Sequence, residues 1–261
     1  MSSPLAHNVI RRDAYVSFTG PYVLGDDTQL ISVPAGYALC GLDLGFTDMD
    51  AGTPPTLAFD IGSAQNGATL LSAVGTPGTA GVNVVERFTP VRYAANGFVW
   101  AQIAAEAVTP VNGTVIATAY TYQAASKNNL RDRTLRKLRV LAAEETAAPA
   151  DAAVAVEALE ALHARLIGMD LARWADAGVS NAASEDEALI AFGLVEWDID
   201  SVPVFAADLY AIMAASTLAD TFGLPDGFVV RLLQEASGAE RELRRLTRIP
   251  TNGQPVKAEF Y

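Results

Sequence analysis

Two histidines, one cysteine and a few carboxylate pairs are the residues of this chain whose types could do chemistry. His163 stands on a helical stretch beside an apolar stripe, and His7 lies in an N-terminal arm. A zinc-binding or catalytic histidine needs a second His, Cys or carboxylate at ligand spacing, and neither has one. Both read as histidines that make a structural hydrogen bond. Cys40 falls inside an apolar strand and reads as an inert core thiol. Asp48-Met49-Asp50-Ala51-Gly52 faintly resembles a calcium loop, but the further acidic ligands and the closing glutamate are missing. A strand-end turn is the plainer reading. Glu185-Asp186-Glu187 and Asp198/Asp200 are carboxylates adjacent in sequence, whereas a glycoside hydrolase holds two across a cleft. They read as loop charges and helix N-terminal charges. The sequence contains no phosphate-binding loop, serine elbow or dinucleotide fingerprint. No catalytic residue, metal or cofactor is expected.

Composition narrows the class. The chain has 261 residues, of which 51% are apolar and 18% charged, enough to bury a large core. A net charge of −12 disfavours general affinity for nucleic acid or an anionic membrane. One cysteine forbids an intrachain disulfide and suits a reducing compartment. With no leader-like segment and no apolar run of membrane-spanning length, a soluble protein made in a cytoplasm is expected.

The two halves follow different patterns. Residues 1–125 hold no lysine, and apolar, aromatic or β-branched runs alternate with Gly, Pro, Asn and Asp clusters. The runs are Tyr15–Leu24, Gln29–Val33, Tyr37–Phe46, Thr56–Ile61, Thr69–Val74, Val82–Ala95, Phe98–Ala105 and Thr114–Gln123. Roughly eight strands at spacings of about 10–15 residues predict an antiparallel sandwich. Residues 126–261 read as helices: Asn129–Ala143, a second after Pro149, a third capped by Ser201 with Pro203 in its first turn, and a fourth over Gly227–Arg248. Gly223-Leu224-Pro225 is a strong stop. Strands followed by helices make an α+β chain of two domains and not an alternating parallel sheet. The expected division is a sandwich over 1–125, a helical bundle over 126–249 and an extended tail over 250–261.

Charge is segregated along the helical half. Arg131, Arg133, Arg136, Lys137 and Arg139 crowd the first helix against Asp132 alone. From Val140 to Glu235 there are seventeen acids against three arginines. Arg241, Arg244, Arg245, Arg248 and Lys257 then turn the end basic, before the aromatic tip Phe260-Tyr261. Basic residues near helix C-termini are favoured by the helix dipole, which is one reading. The other is that two basic ends meet acidic surfaces on neighbouring copies or a partner.

The helical half carries a resemblance. LRDRTLRKLRVLAAEET, a proline-containing loop and ADAAVAVEALEALHARLIGMDLARW, followed by SVPVFAADLYAIMAASTLADTFGLP and an Arg-rich last helix, resemble head-to-tail adaptor (connector) proteins of tailed bacteriophages. The matching positions include Leu135, Arg136, Lys137, Leu138, Glu145, Thr146, Leu159, Leu162, Leu166 and Trp174, and the match spans about residues 127–261. Gly178–Asp200 departs from it, being short and acidic where many relatives carry a strand-rich insertion. The N-terminal sandwich has no counterpart in the adaptor core and resembles the small β-domains appended to virion proteins.

The resemblance implies a structural protein of the virion neck, a ring of about twelve copies docked under the portal. Its implied partners are the portal protein, a tail or stopper protein, its own copies, and the capsid through the N-terminal domain. Duplex DNA would pass through without sequence-specific binding. Arg244, Arg245, Arg248, Lys257, Phe260 and Tyr261 would form a portal-docking tail. Arg131, Arg133, Arg136, Lys137 and Arg139 would contact neighbours or partners, and Glu185, Asp186 and Glu187 would line an acidic lumen that lets DNA slide. The competing classes are a decoration or receptor-binding virion protein oligomerised by its helices, and a cell-wall or glycan hydrolase.

Overall fold

Alternation along the strand-rich half decides which side of a sheet each residue faces, and the side decides its partner. The computed structural model describes residues 9–65, 69–74, 82–142, 145–175 and 194–247. Eight strands form the first part: β1 (Ile10–Phe18), β2 (Asp27–Val33), β3 (Tyr37–Phe46), β4 (Ala58–Gly62), β5 (Leu71–Val74), β6 (Val82–Arg92), β7 (Gly97–Ala105) and β8 (Gly113–Ala125). They make two antiparallel sheets, in the orders β1-β8-β3-β6 and β2-β7-β4-β5. Leu42, Leu44, Val115, Ala117 and Ala119 of one sheet meet Ile31, Val33, Phe59, Ile61, Val99, Ala101 and Ile103 of the other in a closed core. Phe59 anchors it, edge-on to Phe18 at 5.4 Å and stacked on Phe46 at 5.8 Å.

All eight expected strands are present; most ends move by one to three residues, and β1 moves furthest, ending at Phe18 instead of Leu24. β1 begins at Ile10, five residues before Tyr15, because it is an edge strand paired only with β8. Its outward positions Arg11, Asp13, Tyr15 and Ser17 face solvent, so it needs no apolar run to form.

The helical part contains α1 (Lys127–Lys137), α2 (Pro149–Gly168), α3 (Val204–Leu218) and α4 (Asp226–Thr247). The whole is α+β, sheets first and helices after. The Ser126 side chain caps α1 by accepting the Asn129 N–H. That helix stops six residues before the expected Ala143, where Arg139 turns into the left-handed region at φ 60°. Pro149 stands in the first turn of α2, and Gly223, at φ 62°, follows α3.

Ser201 does not cap α3. It closes a 3₁₀ turn (Ile199–Ser201) capped by Asp198, each side chain bonding the other's backbone N–H. Val202–Pro203, strand β11, then pairs with Ala124–Ala125 of β8 before the helix starts. A short hairpin of β9 (Arg173–Ala175) and β10 (Leu194–Glu196) completes the described chain.

The helices do not form a separate bead. β8 sends Ala117 and Ala119 into the sandwich and Tyr120, Tyr122, Ala124 and Ala125 into a second core with Leu159, Leu162, Leu166, Trp197 and Tyr210. Cys40 joins that core from a bulge in β3 and donates its S–H to the Tyr120 carbonyl at 3.3 Å. Tyr122 Oη donates to the Ser201 carbonyl at 2.7 Å, and its burial pushes the phenol pKa up. Tyr210 Oη accepts the Trp197 indole N–H at 2.9 Å and lies 3.2 Å from His163 Nδ1. His163 is therefore a buried structural residue, as its sequence context suggests. α3 is apolar on most faces because α1, α2 and α4 all pack around it.

A core shared by both halves predicts a single calorimetric unfolding transition. Trp197→Ala should lower stability by roughly 3–5 kcal/mol. Two separate transitions, with only one responding to the substitution, would contradict the shared core.

Candidate functional site

The clearest constellation of polar groups is built around Asp50, which is fully buried. Its Oδ1 accepts the N–H groups of Gly52 and Thr109, both at 2.9 Å. Its Oδ2 accepts those of Thr56 at 2.7 Å and of Leu57 and Val108 at 3.2 Å. Burial alone would raise the carboxyl pKa. The bonds from Thr109, Thr56, Gly52 and Leu57 outweigh it and hold the group well below the usual carboxylate range. A carboxylate has about four acceptor sites, so five donors saturate it. The stretch that resembles a calcium loop is thus a fastener between two chain segments, its oxygens already taken by N–H groups. Gly52 fits because a Cβ there would lie 2.7 Å from that of Val108 and 2.9 Å from Asp50 Oδ1.

The fastener shapes one end of the sandwich. Tyr22 Oη donates to the Val111 carbonyl at 2.6 Å, Leu24 N–H to Glu106 Oε1 at 3.2 Å, and Thr56 Oγ1 to the Glu106 carbonyl at 2.6 Å. Val23, Leu24 and Val108 stand exposed on these braced loops. Sequence reasoning missed this apolar end, because its residues come from turns that read only as strand breaks.

The basic residues of α1 are largely occupied within the chain. Arg131 binds Asp132 at 2.7 Å, and Arg133 reaches Asp208 of α3 at 2.8 Å. Arg139 lies over the Phe228 ring at 4.9 Å, tying the end of α1 to the start of α4. Lys127 pairs with Glu160 at 3.1 Å, while Arg136 is exposed and Lys137 half-buried. On α4, Arg244 pairs with Glu240 at 2.8 Å and Arg245 with Glu242 at 2.6 Å. Exposed pairs of this kind contribute little to stability. They do remove the bare charge that the segregated sequence suggests. Arg248, Lys257, Phe260, Tyr261, Glu185, Asp186, Glu187 and His7 lie outside the described residues.

α4 has a second face. Leu232, Ala239, Leu243 and Thr247 are buried. Val230 and Leu233 are exposed by 55% and 51%. At about 100° per residue they point well away from the buried stripe. The small residues Ala214, Ala215 and Ala239, which suit close packing between copies, are instead buried inside the chain where α3 meets α4. Among the described residues no cluster of three or more His, Cys, Asp or Glu could hold a metal ion, and no helix is long and apolar enough to cross a membrane.

Fold and surfaces together define an α+β protein whose sandwich and helices are joined through a shared core and which exposes apolar residues at one end of the sandwich and on α4. No family model matches the chain, and no curated protein matches it. Among solved structures it is similar to a chain of the cyanophage Pam1 capsid asymmetric unit, at 24% identity and TM-score 0.38, over 44% of this chain and 84% of that one. A chain of the Ralstonia phage GP4 capsid matches at 19% identity and TM-score 0.39, over 48% and 88%. One from the acid-stable capsid of Helicobacter pylori bacteriophage KHP30 matches at 15% identity and TM-score 0.31, over 43% and 89%. These low scores mark partial likenesses of shape.

Asp50→Asn keeps the shape but turns an N–H₂ toward N–H donors, and should cost at least about 2 kcal/mol in denaturant unfolding. A depressed folded-state pKa means that the ionised carboxylate stabilises the fold above the unfolded value of about 4. That contribution declines as pH falls toward the folded value. The gap between wild type and Asp50→Asn should therefore be full at pH 7 and shrink steadily below about pH 4. A gap constant down to pH 2 would contradict the assignment.

Proposed function

We propose that this chain is a structural, non-catalytic protein of a bacteriophage virion, and within it a head-to-tail adaptor. The observation that carries the reading is the double-faced α4. A helix that buries one apolar stripe at home and exposes Val230 and Leu233 elsewhere has a surface to set against a neighbouring copy. The order and terminators of the four helices agree with the adaptor resemblance: Pro149 opens α2, Gly223 follows α3, and a long, finally basic α4 leads toward residues 248–261. Copies would assemble as a ring of about twelve, a head-to-tail arrangement that closes on itself. The C-terminal segment, ending in Phe260 and Tyr261, would bind between portal subunits, its backbone supplying affinity and its aromatics filling pockets. The net charge of −12 would let DNA pass without adhering.

A second reading is favoured by a different surface. Tyr15 and Ile116 face each other across β1 and β8 on the outside of the sheet and are 74% and 39% exposed. A rigid apolar pair on a sandwich suits a decoration protein seated on a capsid shell.

Native mass spectrometry separates the two. The adaptor reading expects a ring-sized oligomer that Val230→Glu with Leu233→Glu converts to monomer, while Tyr15→Ser leaves it intact. The reverse response would favour decoration. Removing residues 255–261 should leave a folded protein that no longer attaches to portal in co-sedimentation. Attachment undiminished by that truncation would overturn the docking role of the tail.

A further inference from the structure

Three loops meet at one end of the sandwich: residues 19–26 between β1 and β2, 47–57 between β3 and β4, and 106–112 between β7 and β8. Between them they expose Pro21, Val23, Leu24, Pro54, Val108 and Pro110. Loops are ordinarily mobile, but these are fastened to one another. Asp50 of the second loop accepts the Val108 and Thr109 N–H groups of the third. The first is tied to the third by Gly20 N–H on Asn112 Oδ1 at 3.3 Å and Leu24 N–H on Glu106 Oε1 at 3.2 Å. An apolar surface held in this way costs little to order on binding, and such patches mark contact sites.

Charge narrows what the loops can receive. The three loops contain no Lys, Arg or His. Their charged residues are Asp26, Asp48, Asp50 and Glu106, and all but the buried Asp50 are exposed. An apolar surface with an acidic margin repels nucleic acid and an anionic membrane. It suits a surface that is apolar with a basic margin.

The exposed face of α4 has that composition. At about 100° per residue, Val230, Leu233, Gln234, Ser237, Arg241 and Arg244 lie within roughly 60° of Val230. All six are exposed, and none is an acid. The face is apolar at its start and basic toward its end. Arg244 is shared with Glu240, whereas among the described residues Arg241 bonds the Ser237 carbonyl at 3.2 Å and no acid. Within one subunit the two surfaces lie far apart. β8 starts at the loop end, at Gly113, and its 13 residues carry the chain roughly 40 Å to the helices.

We propose that the apolar loop end of the sandwich receives the exposed face of α4 from a second copy of this chain. The proposal rests on the reading of α4 as a contact between copies and names the surface it meets. Apolar area supplies the affinity, and the acidic and basic margins select the partner and its orientation. Because the two surfaces differ, each copy both gives and receives, which is a head-to-tail contact and not a two-fold one.

Native mass spectrometry of two variants and their mixture tests this. Leu24→Glu with Val108→Glu blocks the loop end, and Val230→Glu with Leu233→Glu blocks α4. At a concentration where the unmodified chain is an oligomer, each variant alone should be a monomer with the circular dichroism of the parent. Mixed one to one, they should form a dimer and nothing larger, because α4 of the first still meets the loop end of the second. A folded loop-end variant that assembles like the parent, or a mixture that stays monomeric, would overturn this contact. Either result leaves α4 as a surface between copies if its own variant is monomeric. An unmodified chain that is itself monomeric would overturn both readings. If the loop-end variant fails to fold, Leu24→Ser with Val108→Thr replaces it, and association at least tenfold weaker than the parent's is expected.

Discussion

Strand β8 has to satisfy two cores at once, and the rest of the structure follows from that. Its odd-numbered residues from Val115 to Ala119 point into the sandwich, and Tyr120, Tyr122 and Ala124 point the other way. An outward face of two tyrosines and an alanine cannot be left to water over that length, so something apolar must cover it. The cover is supplied by the same chain. β8 runs through Ser126 directly into α1, and Val202–Pro203 returns to extend the ladder along its last residues. Buried polar groups at the junction are bonded to one another: the Tyr122 hydroxyl donates to the Ser201 carbonyl, and Tyr210 accepts from Trp197. The junction is a packed and hydrogen-bonded interior instead of a flexible linker.

A rigid junction changes what the surfaces can do. The exposed apolar residues of the sandwich and of α4 keep a fixed relation, so under the proposed assembly one subunit would present both to neighbours without a cost of orienting them. The charged residues contribute differently from what their clustering suggests. Arg131, Arg133, Arg244 and Arg245 are paired with acids of their own chain, so contact between copies would rest on apolar area and not on exposed charge. Exposed pairs still exchange with water and with a partner's charges at low cost, which suits a protein that assembles after it folds.

The fold was legible where periodicity was strong. β3 matches its expected span residue for residue, and the glycine after α3 and the proline opening α2 act as their types require. β1 was partly hidden because an edge strand needs no apolar pattern on its wet side. Ser201 was assigned to the wrong element because a Ser two residues before a Pro looks the same in a 3₁₀ turn as at a helix cap. Less of the candidate surfaces could be read. Leu233 cannot be told from Leu232 by type, and only packing decides which one faces α3. The partners of Asp50 are backbone N–H groups, which carry no sequence signature, so a fastener and a fragment of a calcium loop are indistinguishable in one dimension.

On the proposed reading, this subunit closes into a ring on a portal. Electron-microscope projection images of the full chain mixed with a portal protein of a tailed bacteriophage would show whether it does. The account predicts rings stacked coaxially on the portal, lengthening its central channel. Bare portals beside single, unassembled particles of this chain would contradict it.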